Sequence, residues 1–457
     1  MIAGWLVMAP LAALPVLGLA LRFGARIAAV WTTVASGLVT IGVAAAVPSA
    51  LRGAPAGAGE AGASLGLAFA LDGVGVLVAL VASAVWTIAS LQAIAQIPPD
   101  RRAGRYHAAS LASLSAMLGV ALAADPISLF VAFEWLGLLG YLLVVHDGRR
   151  ASERAGRKYL VLVLLGGVAL LAGVLCLAAG GATGPWHAVS WAPSAGVGLR
   201  ATTALLLSVG FAVKVGALGL HVWLPDAHAA APAPASALLS GVIVNAGALG
   251  LLRTALRLVP FAEGGPGAGP APGEALALAL LALGILTALA GAFMALLQNH
   301  AKRLLAYSTI SQLGFVTLGV GATALEPGAS LAWSGTLAHL AHHALVKATL
   351  FLTLGAALHA SGVSDVRRLG GLARRMPWTW SVATLAGLSL VGLPGTSGFA
   401  SKTALHHAID HLADHGAWTG IAGAIADAAA PLFTVAAIGT AAALAKLLVA
   451  AWFGRPT

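Results

Sequence analysis

The sequence predicts an all-α fold, a polytopic membrane helical bundle of about thirteen membrane-spanning helices. Hydrophobic residues make up 59% of the 457 residues and charged residues only 9%, whereas a soluble domain carries roughly a quarter charged residues. Apolar runs recur along the chain at about the 20-residue length that crosses a bilayer as a helix. Arginine and lysine collect in alternate connections between these runs, which is typical of a protein with several spans.

Short polar or Gly/Pro-rich connections separate the predicted spans. The weakest division lies between spans 4 and 5, where only Asp125 and Pro126 provide a turn signal. The first apolar run lacks the basic segment of a signal peptide, so we expect it to be the first span. In chain order the thirteen predicted spans are 2–21, 27–48, 74–95, 107–124, 126–145, 159–180, 201–222, 235–258, 275–297, 303–322, 329–358, 380–401 and 430–453.

The distribution of positive charge predicts the orientation of the chain. Most of the 25 Lys and Arg residues lie in the connections after spans 1, 3, 5, 9 and 11. The positive-inside rule therefore predicts an outer N-terminus and a cytoplasmic C-terminus, in a membrane that we expect to be a bacterial inner membrane. The formal net charge of +10 reports this orientation, so we expect a lipid bilayer and no nucleic acid as the partner of the chain.

The segment 205–252 is the most informative part of the sequence. It has a lysine inside an apolar run, and a predicted break in the helix follows. Lys214 has no charged neighbour before Asp226, and Pro225 follows at the predicted break. A buried ammonium is costly in a bilayer, so such lysines usually face a bundle interior and belong to an ion pathway. A broken helix survives in lipid only where protein or a water-filled cavity satisfies its backbone.

A second interrupted helix is predicted around Pro394, in the segment GLPGTSGFASK, which ends on another buried lysine, Lys402. Paired Gly/Pro interruptions in two parts of a chain are typical of transporters with inverted repeats. Each predicted repeat has five spans, so the second would be inverted relative to the first. The predicted domains are 1–105 with helices 1–3, 106–260 with helices 4–8, and 274–457 with helices 9–13.

Further ionisable residues lie deep in the predicted spans. Glu134 is a carboxylate with no local partner, and we expect it to pair with a buried lysine. His339, His343 and Lys347 recur at i, i+4 and i+8, which places two imidazoles and an amine on one stripe of a helix. Histidine titrates near neutrality and passes a proton through either ring nitrogen, so the stripe predicts a proton relay. His221 and His228 flank the first break, either as an extension of the path toward solvent or as interfacial residues.

Two alternatives involve metal ions. A zinc site is the rival interpretation of the His339 stripe, although no carboxylate or cysteine accompanies it. The segment HHAIDHLADH, residues 406–415, also combines histidine and aspartate, and we favour a solvated outer face over a metal site. The single cysteine, Cys176, excludes disulfides and thiolate clusters within the chain. Without a nucleotide-binding, CxxC or nucleophile motif we expect no metal, no cofactor and no catalytic centre in this chain.

Five motifs resemble one family of membrane transporters. They are FEWLGLLGYLLV, KVGALGLHVWLPDAHAAAPAPASALLSG, QNHAKRLLAYSTISQLGFVTLG, HLAHHALVKATLFLTLGAALH and GLPGTSGFASK. The family is that of proton-conducting antiporter-like membrane proteins. It includes the antiporter-like subunits of respiratory complex I, membrane subunits of membrane-bound hydrogenases, and large subunits of Mrp-type cation/proton antiporters. The segments RAGRKYLVLVLLGGVALLAG and DVRRLGGLARRMPW look most like the D-type subunit of Mrp antiporters or hydrogenase-associated relatives.

The resemblance implies roles for individual residues. Glu134 and Lys214 match the family's glutamate–lysine pair, the His339 stripe matches its central relay, and Lys402 matches the charged residue of its last broken helix. Asp226 and Ser311 fall inside matched motifs as supporting residues. Asn245 stands where many relatives carry lysine or histidine, and most relatives have fourteen spans. An asparagine hydrogen-bonds a water wire but holds no mobile proton, so coupling between the two halves would differ here.

The resemblance implies a proton-translocating subunit of a multisubunit membrane complex, most like the D-type subunit of an Mrp-type cation/proton antiporter. It would move H⁺ through the buried Glu/Lys/His relay, beside other membrane subunits of a complex I-like or Mrp-like assembly. A first rival is an antiporter subunit that exchanges Na⁺ or K⁺ for H⁺, which would need a cation site of converging oxygens. The alternative is a membrane subunit of an NADH-quinone oxidoreductase or of a hydrogenase or formate hydrogenlyase complex. There electron transfer in partner subunits would drive the same relay, and the chain itself would hold no catalytic centre.

Overall fold

The computed structural model describes residues 1–52, 66–182, 184, 186, 189–192, 194–258, 272–326, 328–416 and 418–453. These residues are mainly helical, and their extended contacts include the isolated bridges of Phe69 with Ala123 and of His300 with Asp365. The predicted all-α fold class is confirmed. The predicted domain boundary at residue 260 lies outside the described residues, and the three domains stay a prediction.

The described chain forms eighteen α-helices, numbered here in chain order. They are α1 Ile2–Ala12, α2 Leu14–Phe23, α3 Ala25–Leu51, α4 Gly73–Gln96, α5 Ala103–Leu122, α6 Pro126–Val144, α7 Arg150–Ala179, α8 Val197–Val215, α9 Leu224–Ala230, α10 Ala233–Leu238, α11 Val244–Arg257, α12 Pro272–Leu297, α13 Ala301–Leu325, α14 Ser330–Ser361, α15 Leu372–Arg375, α16 Pro377–Val391, α17 Ser397–His415 and α18 Gly420–Phe453.

Eleven helical segments of the described chain are long and apolar enough to cross a membrane. Each of the other predicted spans, 107–124 and 380–401, nevertheless overlaps helices. The first overlaps α5, whose buried face carries Ser110, Ser113 and Ser115. The second is divided between the shorter helices α16 and α17. These features give the chain the architecture of an integral membrane protein, while the count of thirteen spans stays a prediction.

Both helix breaks occur at a pair of glycines with the same spacing. Helix α8 ends before Gly216 (φ +75°) and Gly219 (φ +87°), and α16 ends before Gly392 (φ +95°) and Gly395 (φ +87°). The hydrogen bonds at the two breaks also match. The amide of each first glycine donates to carbonyls three and four residues back, and the next amide donates five residues back. This is the Schellman end of a helix, which requires a left-handed residue that glycine adopts at little cost.

The structure corrects the sequence-based view that prolines make the first break. Pro225 lies in the first turn of α9, where a missing amide hydrogen costs nothing because the first turn has no partner for it. Pro394 lies in the turn between the two glycines that separate α16 from α17. The left-handed glycines therefore end α8 and α16. Pro225 lies where the next helix begins, and Pro394 lies in the turn between α16 and α17.

The centre of the bundle is the segment from α10 to α11. It is fully buried, and a five-residue π-helix, Leu239–Ile243, joins α10 to α11. A β-carbon added at Gly241 would lie 2.7 Å from the carbonyl oxygen of Ala344, so glycine permits close contact with α14. Such π-helical turns are often found at functional sites. Here the turn precedes Asn245 by two residues and presents it to α14.

Candidate functional site

Lys214 lies at the end of α8 and is only 1% exposed. Its ammonium is 3.3 Å from the hydroxyl of Tyr159 in α7. The ring of Phe133 is 5.3 Å away, and that of Tyr159 is 5.5 Å away. The faces of aromatic rings attract cations, so these rings stabilise the ammonium away from water.

Glu134 in α6 packs against Gly167 in α7, where an added β-carbon would lie 2.5 Å from Oε2. Its Oε1 is buried and has no hydrogen-bond partner among the described residues. Lys214 is within electrostatic reach of Glu134, but its ammonium contacts Tyr159 instead of the carboxylate. The expected direct Glu–Lys contact is therefore replaced. The Tyr159 hydroxyl donates to the carbonyl of Gly137, 3.0 Å away, and so connects the lysine to α6.

Asn245 connects the region of Lys214 to the histidines of α14. The neighbouring Gly247 lies against Lys214, since an added β-carbon there would be 3.0 Å from the lysine Cβ. The Asn245 amide donates to the carbonyls of Gly241 (3.0 Å) and Leu340 (3.3 Å). Its Oδ1 then accepts from Nδ1 of His343 at 3.1 Å. This bond places the hydrogen of neutral His343 on Nδ1 and leaves Nε2 as the acceptor.

The predicted stripe of His339, His343 and Lys347 lies along α14, and all three side chains are fully buried. The ammonium of Lys347 donates to Ser308 Oγ at 2.5 Å and to the carbonyl of Leu305 at 3.2 Å. A buried amine without a carboxylate partner is thus held by neutral oxygens of α13. It can release a proton without breaking an ion pair.

Two histidines join α14 to the second broken helix. His339 Nδ1 is 3.0 Å from Ser401 Oγ, and His342 Nδ1 is 2.9 Å from Ser397 Oγ. The His339 and His342 rings are 5.7 Å apart between centroids. His342 was missed by sequence reasoning because it lies one residue off the i, i+4 stripe, although a buried third histidine in HLAHH was the available signal.

Lys402 in α17 reaches back across the second break. Its ammonium donates to the carbonyls of Leu390 (2.7 Å) and Val391 (3.2 Å), the last residues of α16. The ring of Phe315 is 5.4 Å from the same nitrogen. The C-terminal carbonyls of a helix lack intrahelical donors and carry partial negative charge, which favours a cation there. The broken helix therefore builds the site of this lysine.

His228 is the supporting histidine that the structure places inside the bundle. It is fully buried and stacks on Phe351, with 5.0 Å between ring centroids. Neither of its ring nitrogens has a hydrogen-bond partner among the described residues. It lies within electrostatic reach of Lys347 and of Lys302, at the start of α13.

The remaining supporting residues are not hydrogen-bonded to the buried lysines or to the histidines of α14. Asp226 pairs with Lys158 and Arg303, each at 2.9 Å, and joins α9 to α7 and α13 at the surface. His221 is half-buried, and its Nδ1 accepts from the Gly219 amide at 3.2 Å. Ser311 lies 3.0 Å from Thr440 in α18. It was expected to support the relay, but Ser308, one turn earlier, contacts Lys347 instead.

The histidine groups do not converge on a common point. His339 and His343 bond to different partners, Ser401 and Asn245. Across the described ranges there is no group of three or more His, Cys, Asp or Glu side chains placed to hold a metal ion. The arrangement is instead a series of amines and imidazoles on α8, α14 and α17, which is suited to passing protons.

Comparison with known proteins identifies the same family that the five sequence motifs resemble. The family model described as "NADH:quinone oxidoreductase/Mrp antiporter, TM" matches residues 123–422. An uncharacterized protein of Mycobacterium tuberculosis is 38% identical over 307 residues, 66% of this chain and 46% of that protein. Hydrogenase-4 component B of Escherichia coli is 34% identical over 60% of this chain and 40% of its own length. The D-type subunit of the Na⁺/H⁺ antiporter of Alkalihalophilus pseudofirmus is 30% identical over 75% of this chain and 67% of its own length.

Solved structures share the fold. The Mrp complex from Dietzia sp. contains a chain that is 27% identical, with a TM-score of 0.84, covering 98% of this chain and 47% of that chain. A chain of the membrane-bound sulfane sulfur reductase, an archaeal respiratory membrane complex, matches in fold with a TM-score of 0.85 over the whole chain at 23% identity. This chain spans about half the length of the curated relatives it matches first. The family model covers most of the chain, and we conclude that this integral membrane protein belongs to the NADH:quinone oxidoreductase/Mrp antiporter family.

Proposed function

We propose that this chain is a proton-translocating subunit of a multisubunit membrane complex. Protons would pass along the buried side chains that lead from Glu134 and Lys214 to the α14 stripe, whose His343 is oriented by Asn245, and on to Lys402. Each position sits on a different helix or half-helix, so small movements of the helices would change which neighbour receives the proton. The chain's own residues would carry the proton, and partner subunits would supply the driving force.

The observation that carries this proposal is the series of three fully or nearly fully buried lysines without carboxylates in contact. Lys214 is 1% exposed, Lys347 0% and Lys402 6%, and their ammonium groups contact hydroxyls and backbone carbonyls. Burying an amine in a membrane protein costs free energy, and a purely structural position could be filled by leucine or methionine without that cost. Neutral partners leave each amine free to exchange a proton, as a permanent ion pair would not.

Exchange of Na⁺ or K⁺ for H⁺ is the driving process that we favour, with the subunit working beside other membrane subunits. It is supported by the similarity to the D-type subunit of the Na⁺/H⁺ antiporter, which extends over 75% of this chain. The second candidate is a proton pump driven by electron transfer. Similarity to hydrogenase-4 component B and to the M-type subunit of NADH-quinone oxidoreductase, both of Escherichia coli, supports it. The same relay serves both.

The test is proton flux in vesicles that carry the intact complex, for the wild type and for Lys214→Ala. We expect the substitution to abolish flux. Flux that responds to an imposed Na⁺ gradient supports exchange, and flux that appears only with an electron donor such as NADH supports the redox-driven pump. Unchanged flux in Lys214→Ala would overturn the proposal.

Lys446 provides a matched control for this test. It too lies in an apolar helix, α18, but its ammonium donates to the carbonyls of Leu296 and Gln298 at the end of α12, each at 2.8 Å. We expect Lys446→Ala to lower stability through the lost cap while the flux per folded complex is retained.

The orientation is also a proposal, with the N-terminus outside and the C-terminus in the cytoplasm of a bacterial inner membrane. The Arg-rich start of α7 and the segment around Arg374 and Arg375 would then face the cytoplasm. Labelling of cysteines introduced at Arg154 and at Asp414 tests it. A membrane-impermeant reagent added to intact cells should label the second position and spare the first, and the opposite result would reverse the orientation.

A further inference from the structure

An open cleft begins where Lys402 ends the buried series. Its volume is about 330 Å³, and its lining includes Val391, Lys402, His406, His407 and Thr434. At about 30 Å³ per water molecule, such a volume admits on the order of ten waters. The cleft therefore connects the region of the Lys402 ammonium, at the end of α16, with the surface along α17.

The polar side chains of α17 follow one line away from the break. Lys402, His406, Asp410 and Asp414 are spaced four residues apart, which places each about 6 Å beyond the last on one face of the helix. Burial decreases in the same order. Lys402 is buried, His406 and Asp410 are half-buried, and Asp414 is exposed.

His406 is bonded at both ring nitrogens. Nδ1 lies 2.8 Å from Asp410 Oδ2, and Nε2 lies 3.3 Å from the hydroxyl of Thr434 in α18. The hydroxyl of Thr434 is also 3.2 Å from the carbonyl of Ala430, so its one hydrogen can be donated either to that carbonyl or to Nε2. An imidazole with a partner at each nitrogen accepts a proton on one side and releases the proton on the other.

We propose that His406 and Asp410 form the surface relay through which the proton of Lys402 leaves, or enters, the chain. The proposal rests on the function proposed above and adds the route between its last lysine and the surface. The Lys402 ammonium gives its proton to water in the cleft, and His406 takes a proton at Nε2 and releases the Nδ1 proton to the Asp410 carboxylate. Each transfer moves one proton, and Asp410 releases it to solvent. Lys402 is then a neutral amine that takes its next proton from the buried series. The remaining N–H of His406 is on Nε2, and a flip of the ring returns it to Nδ1. The solvated face expected for residues 406–415 thus acquires a role.

The test uses proton flux in vesicles with the intact complex and compares His406→Ala, Asp410→Asn and Lys402→Ala. We expect flux to fall about a hundredfold in His406→Ala, the low end of the effect of a positioned proton-transfer group. The same fall is expected in Asp410→Asn, whose amide accepts no proton. His411→Ala is the matched control, because His411 lies on the same helix, bonds to Glu326 at 3.2 Å outside the cleft, and should leave flux unchanged.

Chemical rescue separates a relay from a structural role. Imidazole added to the medium should enter the cleft and restore flux in His406→Ala, while leaving Lys402→Ala inactive. Normal flux in both His406→Ala and Asp410→Asn, with no flux in Lys402→Ala, would overturn the surface relay and leave the proposed function standing. Loss of flux without rescue by imidazole, at normal abundance of the complex, would also overturn it. Unchanged flux in Lys402→Ala would instead count against the proposed function itself.

Discussion

Nδ1 of His343 lies 3.1 Å from Oδ1 of Asn245, and this bond joins the two halves of the buried series. The Asn245 amide is itself fixed by two backbone carbonyls, of Gly241 and Leu340. An asparagine cannot carry the proton, but here it orients the imidazole that can. The residue that differs from the pattern of many relatives therefore has a defined geometric role.

Replacing Asn245 by leucine should reduce proton flux more than replacing it by histidine. Leucine leaves the buried Nδ1 of His343 without a partner, which costs about 1–3 kcal/mol. Histidine keeps an acceptor and adds a group able to hold a proton. Flux and thermal stability of the purified complex would be measured for both variants. Equal flux in Asn245→Leu and the wild type would show that the bond does not serve transfer.

The Tyr159 hydroxyl is the nearest polar group to the ammonium of Lys214, so Tyr159→Phe should slow proton flux. The substitution removes the contact of 3.3 Å and the bond to the Gly137 carbonyl, but keeps the ring that faces the cation. We expect a severalfold loss of flux with stability reduced by about 1 kcal/mol, the net value of one hydrogen bond. Tyr106→Phe is the control, since Tyr106 is also buried, on α5, and its ring packs against His107 and His146, which are not part of the series. An equal loss in both variants would assign the effect to packing.

The sequence predicts the helical architecture well, because lipid imposes both helix length and the cost of buried charge. Glu134, Lys214, the α14 stripe and Lys402 stand out for that reason. Tyr159, Ser308 and His342 do not stand out, since tyrosine and serine are common in apolar helices and His342 lies off the stripe. Their roles depend on which helices become neighbours, and no local pattern encodes that. The first break was misassigned to Pro225, because a proline is conspicuous and the left-handed conformation of Gly216 is not. The second break lies within GLPGTSGFASK, the segment whose glycines and proline predicted it.

A substitution at Gly395 tests whether the left-handed backbone at the helix breaks requires glycine. Its φ is +87°, and an added β-carbon would meet nothing within 4 Å, so Gly395→Ala introduces strain without a clash. A left-handed residue with a β-carbon costs roughly 1–2 kcal/mol, and we expect a lower unfolding temperature. Gly18→Ala is the control, because that glycine also has free space but lies within a helix. There alanine should stabilise the protein by about 0.5–1 kcal/mol. Equal stability of the two variants would contradict the argument.

Two serines on α13, one turn apart, separate proton transfer from packing. Ser308 Oγ is 2.5 Å from the Lys347 ammonium, whereas Ser311 Oγ is 3.0 Å from the Thr440 hydroxyl. Both are fully buried, and alanine removes one buried hydroxyl in each case. We expect both variants to lose about 1 kcal/mol of stability, but only Ser308→Ala to lower proton flux, because it removes the hydroxyl that holds the central amine. The measurement is flux per folded complex in vesicles together with thermal unfolding. A fall in flux in Ser311→Ala equal to that in Ser308→Ala would mean that α13 acts through its packing, and Lys347 would then need no partner at Ser308.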